Sequence, residues 1–168
     1  MKTNRQMNGY VGAAGVHAVA SRLFLAGHVA YFPGFDIGTD IVIDNGLKIQ
    51  VKCGRYKKDI NTSGKYYTLN LDKVSKYRDG RIVNEPRGYE EIVDFVIFWA
   101  IEENRFFVFP ASRVKKSVYI PSNVSSHLRT SKTCDSAKMV AEFEEAWHLL
   151  DVDAVAEAVV EAQVLEGV

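Results

Sequence analysis

The residues that most restrict the fold are 93–101, VDFVIFWAI, where Asp94 is the only charged side chain. The run is far shorter than the roughly 18 residues a membrane helix needs. It is rich in β-branched and aromatic residues and is closed by Glu102, Glu103 and Asn104. It therefore reads as a strand buried on both faces, which places it in the middle of a sheet with cover above and below. Glu103-Asn104 turns the chain into a second apolar segment, Phe106–Phe109, its expected hairpin partner.

The flanking sequence supplies helices and further strands. Residues 13–26 put Val16, Val19, Ala20 and Leu23 on one side at helical spacing, and Gly27 follows as a stop. His28–Phe32 is a short strand ended by Pro33-Gly34. Thr39–Asp44 and Leu47–Cys53 alternate apolar with polar, and Lys65–Leu71 is a further strand. Residues 72–91 carry weak signals. Two helical stretches are expected at about 136–150 and 153–165, with Val140, Phe143, Trp147 and Leu150 on the apolar side of the first. The expected class is mixed α/β, with 168 residues in one domain.

Composition narrows the setting. An apolar fraction of 47% argues against disorder. The polar N-terminus lacks a secretory pattern. Cys53 and Cys134 lie too far apart for a metal finger or a disulfide framework, so a cytoplasmic setting is expected. Net charge is zero, yet the charges are segregated. From Lys52 to Arg87 there are ten Lys and Arg against four Asp and Glu; from Asp135 onward there are nine acids against Lys138 alone. The basic stretch is either a solvated loop or a face for a polyanion.

Chemistry concentrates in residues 35–53, FDIGTDIVIDNGLKIQVKC. A two-residue Asn45-Gly46 turn would pair residue 40 with 51 and mix core with polar positions. A three-residue loop, Asp44-Asn45-Gly46, pairs 43 with 47 and 40 with 50, with Gly46 where a positive φ is required. Ile41, Ile43, Leu47, Ile49 and Val51 then share the core face, and Asp40, Asp44, Lys48, Gln50 and Lys52 share the other. A single buried face selects the second register. Asp40 and Gln50 offer hard oxygen ligands suited to Mg²⁺. A neighbouring lysine can position water or stabilise charge developing on a phosphoryl group. The alternative is a surface hairpin with Lys and Asp on its wet face.

Asp40 followed by Gln50-Val51-Lys52 resembles the signature of the PD-(D/E)XK, restriction-endonuclease-like nuclease superfamily in its QXK variant. GVHAVASRLFLAGHVAYFP is similar to that family's first helix and strand, and VDFVIFWAIEENRFFVFPASRV to its later strand, hairpin and entry to a helix. The likeness spans about residues 12–115 and is strongest to group I intron homing endonucleases and archaeal Holliday-junction resolvases. It implies an αβββαβ core, a central mixed sheet flanked by helices, here with a helical C-terminal extension at about 136–165. It implies a Mg²⁺- or Mn²⁺-dependent DNA endonuclease in which Asp40, Gln50 and the Val51 carbonyl hold the metal and Lys52 is catalytic. Arg55, Lys57, Lys58 and Lys65 would contact DNA, with Arg113, Lys115 and Lys116 extending that surface. A homodimer or higher homo-oligomer would suit cutting of both strands. One feature departs from the pattern: the first helix has no acid beside Gly15. His17 and Asp36 are the candidates to replace it. If nothing does, the domain is a catalytically weakened DNA-binding or interaction module.

Overall fold

The computed structural model describes residues 4–34, 38–58, 65–71, 74–78, 81–85, 89–114, 117–122 and 140–151, with side chains at most of them. The chain opens with one long helix, α1 (Asn4–Leu25). There follow β1 (Ala30–Tyr31), β2 (Ile41–Ile43), β3 (Lys48–Gly54), β4 (Lys57–Lys58), β5 (Lys65–Leu69), β6 (Val74–Arg78) and β7 (Arg81–Glu85). Then come β8 (Phe95–Ala100), β9 (Arg105–Pro110) and β10 (Val118–Pro121). The main sheet has the order β1-β2-β3-β8-β9. It is mixed, because β3 and β8 run parallel while the other pairs are antiparallel. No helix among the described residues is long and apolar enough to cross a membrane.

The apolar run around β8 behaves as its composition dictates. Phe95 and Ile97 point into one buried cluster with Val19, Ala20 and Leu23 of α1. Val96, Phe98 and Ala100 point into another, with Tyr67 and Leu69 of β5, Val118 and Ile120 of β10, and Phe143. Period-two alternation thus divides one strand between two cores. Burying each such side chain stabilises the fold by about 1.5–3 kcal/mol, which suffices to fix the strand centrally.

The hairpin adopts the three-residue loop. Ile41 pairs with Ile49 and Val42 with Lys48, which sets residue 40 opposite 50. Gly46 N–H donates to the Ile43 carbonyl at 2.9 Å, Ile43 N–H donates to Leu47 at 3.0 Å, and Gly46 has φ +90°. A side chain at Gly46 would be strained in that left-handed conformation.

Five features differ from the sequence-based expectation. Helix α1 begins at Asn4, well before residue 13, because its glycine-rich first half weakens the apolar stripe without breaking the hydrogen-bond ladder. The weakly patterned 72–91 region holds the hairpin β6–β7, which forms a sheet of its own. Directly after the β8–β9 hairpin the expected helix entry is a single 3₁₀ turn, Ala111–Arg113, which leads toward β10. The second face of the sheet is covered by β4-β5-β10 rather than by a helix. Of the helix expected at 136–150, residues 140–142 are helical, and 136–139 lie outside the described residues. The helix does not continue past residue 142: Glu145 has φ 51°, and Trp147–Leu150 is 3₁₀. The cause is tertiary: this segment crosses the edge of β9, where Phe107 bridges to Glu144, so Phe143 enters one core and Leu150 the other. The helix expected at 153–165 lies outside the described residues.

Candidate active site

Strand β2 starts at Ile41, so the edge of β3 beyond Gln50 has no strand beside it, and the chain before β2 folds onto that edge. Asp40 N–H donates to the Ile49 carbonyl at 2.9 Å, and Asp40 Oδ2 accepts from Val51 N–H at 2.7 Å. The Gln50 side-chain amide, buried at 6% exposure, donates from Nε2 to the same Asp40 oxygen. Nε2 also lies 3.3 Å from the Val51 carbonyl oxygen. A carboxylate oxygen and a main-chain carbonyl therefore converge on one point, held by a buried amide.

That donor set fits a hard divalent ion. Rotating the Gln50 amide by half a turn exchanges Nε2 for Oε1 in nearly the same volume, which adds a third oxygen to the two already convergent. Among the described residues no group of three or more His, Cys, Asp or Glu is gathered for a metal. An ion here would draw one carboxylate and two neutral oxygens from the protein and water for the rest, as Mg²⁺ tolerates. One residue before the carboxylate, the Thr39 hydroxyl is buried without a hydrogen-bond partner among the described residues.

Lys52 lies two residues beyond Gln50 on the same side of β3. It is half-buried, and its ammonium stands 5.7 Å from the centroid of the buried Tyr89 ring. That aromatic face restrains the long side chain while leaving its three N–H donors for other partners. Tyr89, in a 3₁₀ turn just before β8, carried no sequence signal, because nothing local ties residue 89 to residue 52.

Helix α1 approaches β3 closely from the other face. A Cβ on Gly15 would stand 2.9 Å from Cys53 Sγ and 3.1 Å from its Cβ, so glycine is what permits the contact. Cys53 Sγ lies 3.3 Å from the Val11 carbonyl, and burial pushes its thiol pKa up, against the lowering effect of Lys52. Beyond Gly15 the helix overhangs the end of β3 and leaves a cleft of about 410 Å³ lined by Asn8, Val11, Gly12, Val51, Lys52 and Cys53. Asn8 was out of view of a helix thought to begin at residue 13. On the true helix it shares a stripe with Gly12, Gly15 and Val19.

The two substitutes for a helix acid fare differently. His17 is exposed and its ring packs on Phe32, centroids 5.6 Å apart. Asp36 lies outside the described residues, as do Lys115 and Lys116. The basic residues after the hairpin are at the surface. Arg55, Lys57, Lys58 and Lys65 are all exposed, and Lys58 stands opposite Lys65 across β4–β5. Lys65 Nζ sits 4.5 Å from the centroid of the Tyr56 ring.

No family model matches the chain, and no curated protein does. Among solved structures the fold is similar to "The structure of a bacterial homing endonuclease: I-Ssp6803I". The TM-score is 0.64 and the identity 23%, over 89% of this chain and 97% of that one.

Proposed function

We propose that the protein is a divalent-metal-dependent endonuclease that hydrolyses DNA phosphodiester bonds, a QXK member of the PD-(D/E)XK superfamily. The observation that carries this is the convergence of Asp40 Oδ2 and the Val51 carbonyl on the Gln50 amide, with Lys52 on the same side of the same strand. The fold shared with a bacterial homing endonuclease supports it.

Asp40, Gln50 and the Val51 carbonyl would hold Mg²⁺ or Mn²⁺. Such an ion supplies Lewis-acid polarisation of a phosphoryl oxygen and acidifies water. Asp40 is fixed by the Val51 N–H, so its carboxylate is oriented before any substrate arrives. The Lys52 ammonium donates hydrogen bonds to the attacking water or to the charge that builds on the phosphoryl oxygens. Arg55, Lys57, Lys58 and Lys65 follow β3 directly and carry the neighbouring backbone phosphates, a sequence-independent and salt-sensitive contact. Two copies of the chain, one per strand, would make a double-strand break.

Supercoiled plasmid with Mg²⁺, with and without EDTA, is the test. Wild type should nick in a metal-dependent way, and Lys52→Ala should slow nicking by roughly 10²–10³-fold. Equal nicking by the two proteins would remove Lys52 from the chemistry. A second function, a DNA-binding module that does not cut, is favoured by the site's having, among the described residues, no group of three or more His, Cys, Asp or Glu. It requires DNA binding without Mn²⁺ binding, which calorimetric titration distinguishes.

A further inference from the structure

Helix α1 contains three glycines, Gly9, Gly12 and Gly15, and packing explains one of them. A Cβ on Gly15 would press on Cys53. A Cβ on Gly12 would meet nothing within 4 Å among the described residues beyond its own stretch of helix. Glycine inside a helix is destabilising relative to alanine, so the fold itself has no use for it at position 12. Gly12 stands nearly one turn before Gly15 on the same face, and Asn8 about one turn before Gly12. Both line the cleft that ends at Val51, Lys52 and Cys53. The Asn8 side chain is exposed, and no hydrogen bond to a described residue occupies its amide.

The cleft is continuous with the candidate active site, because Val51 and Lys52 belong to both. Its lining has one cation, Lys52, and no carboxylate. The whole of α1, from Asn4 to Leu25, has no Asp or Glu. Two carboxylates approach this end of β3, and each is engaged. Asp40 Oδ2 accepts from the Val51 N–H and the Gln50 amide, and Glu102, beyond Gly54, accepts from the Tyr56 N–H at 3.1 Å. The chemistry therefore favours an anion over a cation in the cleft. A neutral amide brings two N–H donors and no charge, which suits a non-bridging phosphate oxygen. A nucleic-acid strand with one phosphate at Asp40 and Lys52 presents its next phosphate to the adjoining space.

We infer that Asn8 is a substrate-binding residue: its amide donates to the DNA phosphate next to the one that is cut, and Gly12 keeps the cleft open for that strand. This role rests on the proposed nuclease activity, so binding and cutting are measured apart. Binding is read from the anisotropy of a fluorescein-labelled DNA duplex in EDTA, and cutting from plasmid nicking in Mg²⁺. Asn8→Ala should weaken duplex binding and raise the KM for nicking, each roughly tenfold, with kcat changed less than about twofold. Asn8→Asp should weaken both further by repelling the phosphate, with calorimetric Mn²⁺ affinity unchanged. Gly12→Ala should raise Tm by about 2–4 °C, since the methyl enters space that the fold leaves empty. Gly12→Leu fills the cleft and should raise KM by at least roughly tenfold. Asn8→Ala, at an exposed helix position, serves if the leucine variant fails to fold. If wild type binds DNA without cutting it, the nuclease proposal fails, while weaker duplex binding by Asn8→Ala still supports the contact. If wild type cuts and Asn8→Ala matches it in both KM and duplex affinity, the inference is overturned and the nuclease proposal stands. A gain of Mn²⁺ affinity in Asn8→Asp also overturns it, because residue 8 would then face the ion.

Discussion

Two polar clusters, one beside β3 and one at the start of β9, are built on opposite plans. Around Arg105 one cation meets two carboxylates. Its Nε and Nη2 bond Glu144 at 2.5 and 2.9 Å, and Nη1 bonds Glu103 at 2.8 Å and the Ser122 carbonyl at 3.2 Å. The Glu144 hydrogen bond, helped by Glu103 and opposed by burial, pushes the guanidinium pKa still higher. Each guanidinium nitrogen has an acceptor, and the cluster ties β9 to the end of β10 and to the 140–151 segment. Around Asp40 the balance is reversed. A carboxylate oxygen and a carbonyl share one amide nitrogen, and a ligand richer in positive charge would satisfy both better. A cluster in which a cation meets carboxylates holds the fold together, and one in which neutral amides hold a carboxylate and a carbonyl offers those oxygens to a cation.

Breaking each cluster in turn should separate the two plans. The largest effect is expected for Asp40→Asn, which removes the one charged ligand. Calorimetric Mn²⁺ binding should vanish and plasmid cleavage should fall by at least roughly 10³-fold, with stability changed by less than about 1 kcal/mol. Arg105→Met should do the converse. It strands Glu103 and Glu144 against each other and should cost about 3 kcal/mol in urea unfolding while leaving Mn²⁺ affinity intact. Loss of metal binding in Arg105→Met at a temperature where it remains folded would collapse the contrast between the clusters.

Gln50→Glu sharpens it. Without metal, a second carboxylate against Asp40 should destabilise the protein by about 1 kcal/mol. With Mn²⁺ the sign should reverse and affinity should rise roughly tenfold. A variant indifferent to Mn²⁺ would show that residue 50 does not face the ion.

The smallest effect concerns Tyr67, fully buried against Phe98 and beside the Arg105 cluster. Its hydroxyl finds no partner with hydrogen-bond geometry among the described residues, although the Glu103 backbone lies near it. Burial, aided by the Glu103 and Glu102 carboxylates, pushes its pKa from 10.0 up to about 12. The raised folded-state value means the stabilisation is complete below pH 10.0 and is lost as pH rises toward about 12, where the unfolded chain releases the proton more readily. Stability should therefore fall across that window, and Tyr67→Phe should flatten the fall.

The register of the hairpin was legible before any coordinates. Ile41, Ile43, Ile49 and Val51 can share a core only if residue 40 faces residue 50, and Gly46 has the φ that this loop demands. The central strand was legible for the same reason, since a run apolar at every position must be buried on both sides. The start of α1 was not, because Gly9, Gly12 and Gly15 blur the helical stripe. Nor was the break at Glu145, where a good helical pattern yields to the edge of β9.

By itself, then, the sequence determined the spacing of Asp40, Gln50 and Lys52 and the side of the strand on which each stands. These are local matters, settled by a period of two and one turn. The tertiary structure alone decided what surrounds them: Tyr89 behind Lys52, Asn8 across the cleft, and a small sheet in place of a second helix. Each joins residues far apart in the chain, and such contacts depend on how whole layers pack, which no local period encodes.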